Sequence, residues 1–305
     1  MTDKSPAAPA NQKVALTQSR LAYNPRRRPA TRPALVAAII LVLGGSVPVL
    51  PTTAAAETDP ASGVEVIGAA RTGGIERVVE ILTRDLGLPL PRATRVHVYT
   101  TPQAFRRGLV KDGAIREEAA FNVASFAIGI ARPAHVLVHS NLAGGGSEWL
   151  RLIAHEMTHV SQFELAGGEG RAEQWLAEGT AEHVAFQVLE RLDVGSLALH
   201  RRVALARVPQ HPAFAHGRLE LNTLGSPHDF MLRHQREGSV ETYHLSFLLA
   251  DYLIAQHGFD KMIEYFSRLK RQSSEAAFQA AFGYSIATFE TQALAHLQVL
   301  AGTAN

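Results

Sequence analysis

Two histidines one helical turn apart, with a glutamate beside the first, constrain this chain more than any other feature. The stretch reads His155-Glu156-Met157-Thr158-His159, an HExxH pattern. Residues four apart on an α-helix project from the same face, so the sequence requires a helix here with both imidazoles on one side. Two neutral imidazoles held in that way can supply two ligands of a tetrahedral zinc ion. Glu156 then lies where its carboxylate can reach a water beside the metal without binding the metal itself.

A third ligand follows from the spacing. Glu178 stands nineteen positions after His159, inside Trp175-Leu176-Ala177-Glu178-Gly179-Thr180-Ala181-Glu182. The segment from Ala166 to Arg171 is rich in glycine and charge, the mark of a turn between helices. A second, antiparallel helix would return Glu178 to the histidines and complete a His2Glu set with one position open. Glu182, one turn further on, can accept the free ring N–H of a ligand histidine. Gly179 inside a helix costs about 1 kcal/mol relative to Ala; close approach to the HExxH helix would account for it.

At these residues the sequence resembles the gluzincins, the zinc peptidases that include thermolysin and the neutral aminopeptidases. Their HExxH is followed by about 18 residues and then a glutamate in a second helix; here 18 residues, Val160 to Ala177, intervene. The resemblance implies one zinc per chain on His155, His159 and Glu178, Glu156 as general base, and Glu182 as partner of His155. The Trp-Leu-x-Glu-Gly-x-Ala-Glu wording is similar to that of small bacterial peptidase-like proteins of this superfamily. Tyr243-His244-Leu245-Ser246-Phe247 and the aromatic stretch Phe278 to Phe289 extend the likeness over about residues 96–300. It makes Tyr243, read as preceding a helix, the candidate oxyanion donor. It also implies that the strand from Ile130 to His139 forms a sheet edge able to take up a peptide, with Pro133 removing one donor.

Other branches fit less well. The Gly-x-Met-Glu-Asn stretch by which neutral aminopeptidases hold a free amine is missing, and Phe126 to Arg132 stands in its place. A metzincin would need a glycine and a third histidine where Gln162 and Leu165 occur. An intramembrane protease would need several spans, and this chain offers at most one.

The first 33 residues carry seven Lys/Arg against Asp3 alone, an apolar run follows at 34–43, and Ala54-Ala55-Ala56 closes the segment. A basic start, a core of about ten apolar residues and small residues at the end describe a secretory signal removed after Ala56. The competing reading is an uncleaved anchor, although the apolar run is short for the ~18–20 residues of a span. Arg26-Arg27-Arg28 is followed by Pro29 and Ala30 rather than the apolar pair of a twin-arginine signal. The chain has no cysteine, so neither disulfides nor a lipoprotein anchor can form. The leader holds a charge of about +6 of the net +2, leaving residues 57–305 near −4. The basic pI therefore belongs to the leader and gives no support to a nucleic-acid partner.

Periodicity orders the remaining elements. Gly74 to Leu86 has helical spacing, Arg95 to Thr100 alternates as a strand, and Pro102 opens a helix with Phe105 and Leu109 inward. Ala134 to His139 is a second strand. Ser147 is the expected N-cap of the zinc helix, whose apolar stripe is Trp149, Ile153, Met157 and Val160. Residues after Glu182 are mainly helical, over 181–192, 242–256, 261–270 and 286–300. Val208 to Glu237 is polar and aperiodic, and is expected to be a loop at the cleft. The expected fold is α+β: a small mixed or antiparallel sheet, the HExxH helix, then a mainly helical part. Residues 1–56 form the leader, and 57–305 one peptidase domain with its sheet at about 62–146, zinc helices at 147–192 and helical part at 193–305.

The expected function is an exported, zinc-dependent peptidase acting on a peptide or protein, periplasmic or extracellular, touching a membrane only through an uncleaved leader. The alternatives are a secreted zinc-containing binding or assembly protein without turnover, and a zinc amidase acting on a non-protein amide.

Overall fold

A computed structural model describes residues 57–59, 64–68, 73–141, 143–208, 214 and 217–303. The leader and its apolar core at 34–43 lie outside the described residues. The fold is α+β. Five strands form one mixed sheet: β1 (Glu57–Asp59), β2 (Val64–Gly68), β3 (Thr94–Tyr99), β4 (Gly129–Arg132) and β5 (His135–His139), in the order β1-β2-β3-β5-β4. β2, β3 and β5 run parallel, and β1 and β4 pair antiparallel with their neighbours. Parallel neighbours need crossovers. Helix α1 (Ile75–Glu80), continued by a π-helical turn at Ile81–Asp85, makes the first; α2 (Pro102–Lys111) and α3 (Glu117–Phe126) belong to the second.

Alternation along the strands sends side chains to two cores. Val96, Val98, Val136 and Val138 pack with Val78, Ile153 and Met157 on one face. Leu137 packs with Ile130, Phe105, Leu109 and Val123 on the other. The HExxH helix, α4 (Ser147–Ala166), thus lies on the valine face of the sheet and presents to it the apolar stripe read from the sequence. Its N-cap is Gly146 at φ 58°, not Ser147, and no side chain caps it. A glycine takes that left-handed φ without steric penalty, so the chain enters the helix by backbone geometry instead of a serine hydroxyl.

The sequence placed the sheet edge on Ile130 to His139; the structure corrects this. β5 is internal, paired on both sides, and the terminal strand is β4. Pro133 and Ala134 (φ 59°) form the turn between them, so Pro133 removes no donor from the edge.

Helix α5 (Gln174–Arg191) follows α4 after a short turn that begins at Gly167, in the left-handed conformation. Side-chain contacts pair 162 with 177, 159 and 155 with 178, and 151 with 182, a register that requires the two helices to be antiparallel. α6 (Leu197–Arg207), a 3₁₀ turn (Leu221–Thr223), α7 (Pro227–Glu237), α8 (Ser239–His257), α9 (Phe259–Arg268), α10 (Ser274–Phe282) and α11 (Ile286–Thr303) complete the chain. The expected loop at 208–237 therefore contains a helix. Ser226 caps it by accepting from the Asp229 amide, and Pro227 occupies its first position, where a missing N–H costs nothing.

The helical part has its own core around Trp175, Phe247, Tyr265, Phe278 and Phe289. Trp175 stacks on Phe289 at a centroid distance of 5.5 Å. Each such buried aromatic contributes roughly 2–3 kcal/mol through area removed from water. Among the described residues no helix is long and apolar enough to cross a membrane.

Candidate metal centre

α4 and α5 bring together the three residues that the sequence nominated as ligands. The Nε2 atoms of His155 and His159 are 3.1 Å apart. Oε2 of Glu178 lies 3.2 Å from the first and 3.4 Å from the second. A tetrahedron with centre-to-vertex distances of about 2.0–2.1 Å has edges of about 3.3 Å. The three separations match that figure, and among the described residues this is the group whose donor atoms can hold a metal ion. Oε2 of Glu178 is buried and has no hydrogen bond. A buried carboxylate oxygen left in this way is costly unless a cation meets it.

Electrostatics agree. Burial alone would disfavour the charged imidazole of His155, but Glu178 and Glu182 on its two sides outweigh that and raise its pKa. Burial likewise opposes charge on Glu178, which the histidines hold well below the usual carboxylate range. The pocket between these residues is one that stabilises a positive charge.

Glu156 points elsewhere. It is fully buried, and neither carboxylate oxygen has a hydrogen-bond partner. Burial pushes its pKa up to about 7. β4 passes directly against it: a β-carbon on Gly129 would lie 3.1 Å from Glu156 Oε1 and 3.1 Å from Leu152 Cδ1. A side chain on β4 here would require these two side-chain ends to give by a few tenths of an ångström.

Glu182 lies where the sequence put it, with Oε1 3.3 Å from His155 Nδ1, an ion-pair distance not aligned as a hydrogen bond. Arg151, unnoticed in the sequence, holds it by donating from Nη1 to both carboxylate oxygens at 3.0 Å. Burial opposes a charged Glu182, but Arg151 and His155 keep it ionised, far below the usual range.

Comparisons with protein-family models and with curated proteins returned no match to this chain.

Tyr243 sits on the fifth residue of α8, inside the helix and not ahead of it. Its ring lies 6.5 Å from that of His155, and Phe230 and His234 of α7 pack on it at 5.4 and 5.8 Å. The segment expected as a cleft loop thus borders the centre as helix α7.

Two more residues escaped the sequence reading. Gln162 places Oε1 2.8 Å from His159 Nδ1, and Gln174 donates from Nε2 to Glu178 Oε1 at 2.7 Å. Arg151, Gln162 and Gln174 stand four before His155, three after His159 and four before Glu178. Helical spacing from each ligand was the signal that would have found them.

Gly179 is explained differently from the expectation. Its missing β-carbon would lie 2.0 Å from the carbonyl oxygen of Ser246 and 3.0 Å from Ala250 Cβ. The close approach is to α8, not to the HExxH helix.

Proposed function

We propose that this chain is an exported zinc metallopeptidase of the gluzincin kind, with zinc held by His155, His159 and Glu178. One observation carries the reading: three buried donor atoms 3.1–3.4 Å apart, beside a buried carboxylate, Glu156, that is bonded to nothing. A purely structural site has no use for that carboxylate. Two imidazoles and one carboxylate suit zinc, which when bound acidifies a water and polarises a carbonyl.

The chain's own groups supply the proton transfers. Glu156 takes the proton from the attacking water as its oxygen bonds the carbonyl carbon, then gives it to the amine as the C–N bond breaks. Tyr243 donates from its hydroxyl to the carbonyl oxygen as charge develops there. The free side of β4, which abuts Glu156 at Gly129, takes an extended peptide as an added strand. The substrate is then a peptide or protein held mainly by its backbone, with export provided by residues 1–56.

A second reading is a secreted metal-holding binding or assembly protein without turnover. It is favoured by the complete burial of His155, Glu156, His159 and Glu178. An amidase with a non-protein substrate would use the same groups. The test is the metal content of the full chain together with cleavage of an unfolded fluorogenic protein, with and without chelator. One zinc per chain and chelator-sensitive cleavage that Glu156→Gln abolishes, with zinc retained, is the expected result. Zinc without cleavage moves the weight to the second reading or to the amidase; absence of zinc sinks all three.

A further inference from the structure

We propose that two buried amides, Gln162 and Gln174, are positioning residues that decide which atom each neighbouring ligand offers to the metal. The inference rests on the metal reading above and concerns groups that do not touch the metal.

The orientation of Gln162 is fixed by what it meets. Its Nε2 donates to the carbonyl oxygen of Ala177 at 3.0 Å. A carbonyl oxygen only accepts, so the amide nitrogen must face Ala177 and the amide oxygen must face His159. That oxygen also only accepts. Nδ1 of His159, 2.8 Å away, therefore carries the proton. The other ring nitrogen, Nε2, is left with its lone pair directed at His155 Nε2 and Glu178 Oε2. One side chain on α4, anchored to the backbone of α5, thus fixes the tautomer that metal binding needs.

Gln174 does the matching task for the carboxylate. Its Nε2 holds Glu178 Oε1 at 2.7 Å, and Gln174 and Glu178 are both buried. With Oε1 held by Gln174 and turned toward it, Oε2 is the oxygen left without a hydrogen bond and aimed at the two histidines. The site then has three protein ligands and one position left open, as catalysis by a metal-activated water requires. Without Gln174 both oxygens can chelate and fill that position. The two amides line the same small cavity beside His159, together with Phe163, Ala177 and Phe266.

The test uses the full chain, stripped with chelator and titrated with zinc and with cobalt(II). Loss of an outer hydrogen bond to a metal ligand typically weakens binding about 10–100-fold, and Gln162→Leu is expected to do so. Gln162→Glu keeps an acceptor for His159 but sets an oxygen against the Ala177 carbonyl, and is expected to bind zinc more tightly than Gln162→Leu. A residue that merely tied α4 to α5 would be hurt equally by both changes. Gln174→Leu is expected to weaken the visible cobalt bands, as a four-coordinate ion gains a fifth ligand atom. Circular dichroism melts confirm that each variant is folded. Equal loss in Gln162→Leu and Gln162→Glu, or an unchanged cobalt spectrum in Gln174→Leu, overturns the proposal while leaving the metal reading intact. A parent that binds neither metal overturns both.

Discussion

Replacing Gly179 by Ala tests how α5 is seated, because the new β-carbon has no room between α5 and α8. In an exposed helix the change would stabilise by about 1 kcal/mol, because alanine is the better helix former. Here the new β-carbon would lie 2.0 Å from the Ser246 carbonyl oxygen and 2.5 Å from its carbon. That is at least ~1 Å short of van der Waals contact, and the obstacle is backbone on a buried helix, which cannot rotate aside. Overpacking of this kind costs typically 1–3 kcal/mol, and the upper end applies. The net loss is then ~2 kcal/mol, or about 4–8 °C in Tm for a domain of this size. α5 must also move away from α8, carrying Glu178 with it, so zinc affinity falls in the same variant. Thermal melts of the stripped protein and a competitive zinc titration read the two effects. A variant as stable as the parent, or more stable by the helix-propensity term, would refute the argument and mean that α5 and α8 are not in register as described.

Two further predictions concern ion pairs. Asp251 accepts from Arg201 at 2.7 Å on both oxygens and lies 3.2 Å from His183 Nδ1. Burial opposes its charge, but these partners lower its pKa from 3.8 to about 2. Because the folded value is depressed, the stabilisation is complete above pH ~4 and is lost as pH falls toward 2; it amounts to about 2 kcal/mol. Asp251→Asn should therefore lose stability at pH 7 and show a flatter acid denaturation curve between pH 4 and 2; identical curves would refute the assignment. Arg151→Gln should weaken binding of the proposed zinc about 10–100-fold if Glu182, which Arg151 holds beside His155, supports that ligand. The check is a chelator competition at low and high salt, and unchanged affinity at both would show that Arg151 has no such role.

The candidate metal-holding group was legible because each of its members is a chemistry-bearing residue at a helical interval. His155, His159 and Glu178 need no knowledge of the rest of the fold to be nominated. β3 and β5 were legible as well, through β-branched alternation. β4 and β5 are one strand in the expected edge because Gly129 to Ala131 is buried throughout and does not alternate, while Pro133, expected inside that strand, stands in the turn. α7 was read as loop for a related reason: Arg233, one of its inward residues, is a buried cation bonded to the Leu219 carbonyl and paired with Glu237. A hydrophobic pattern cannot register a charged residue that faces the core. Gly179 signalled a close approach but not its direction, since a glycine names no partner. Arg151, Gln162 and Gln174 were passed over because polar residues on helices are mostly solvated, and only the folded ligands reveal that these three face inward.

The start of α5 is secured by residues far ahead in the chain. The amides of Gln174 and Trp175 donate to the carbonyls of Gly225 and Leu224, and the Glu173 amide donates to the hydroxyl of Tyr265. During synthesis all three candidate ligands have emerged once residue 178 is made, yet the groups that hold the start of Glu178's helix come about 45 to 90 residues later. The finished geometry of this cluster therefore depends on residues made after it, although its own sequence is nearly contiguous. A fragment ending near residue 192 would hold all three ligands and none of these anchors, and the metal would meet a flexible chelating segment in place of a preformed site. The helical half of the chain is what turns a motif into a centre.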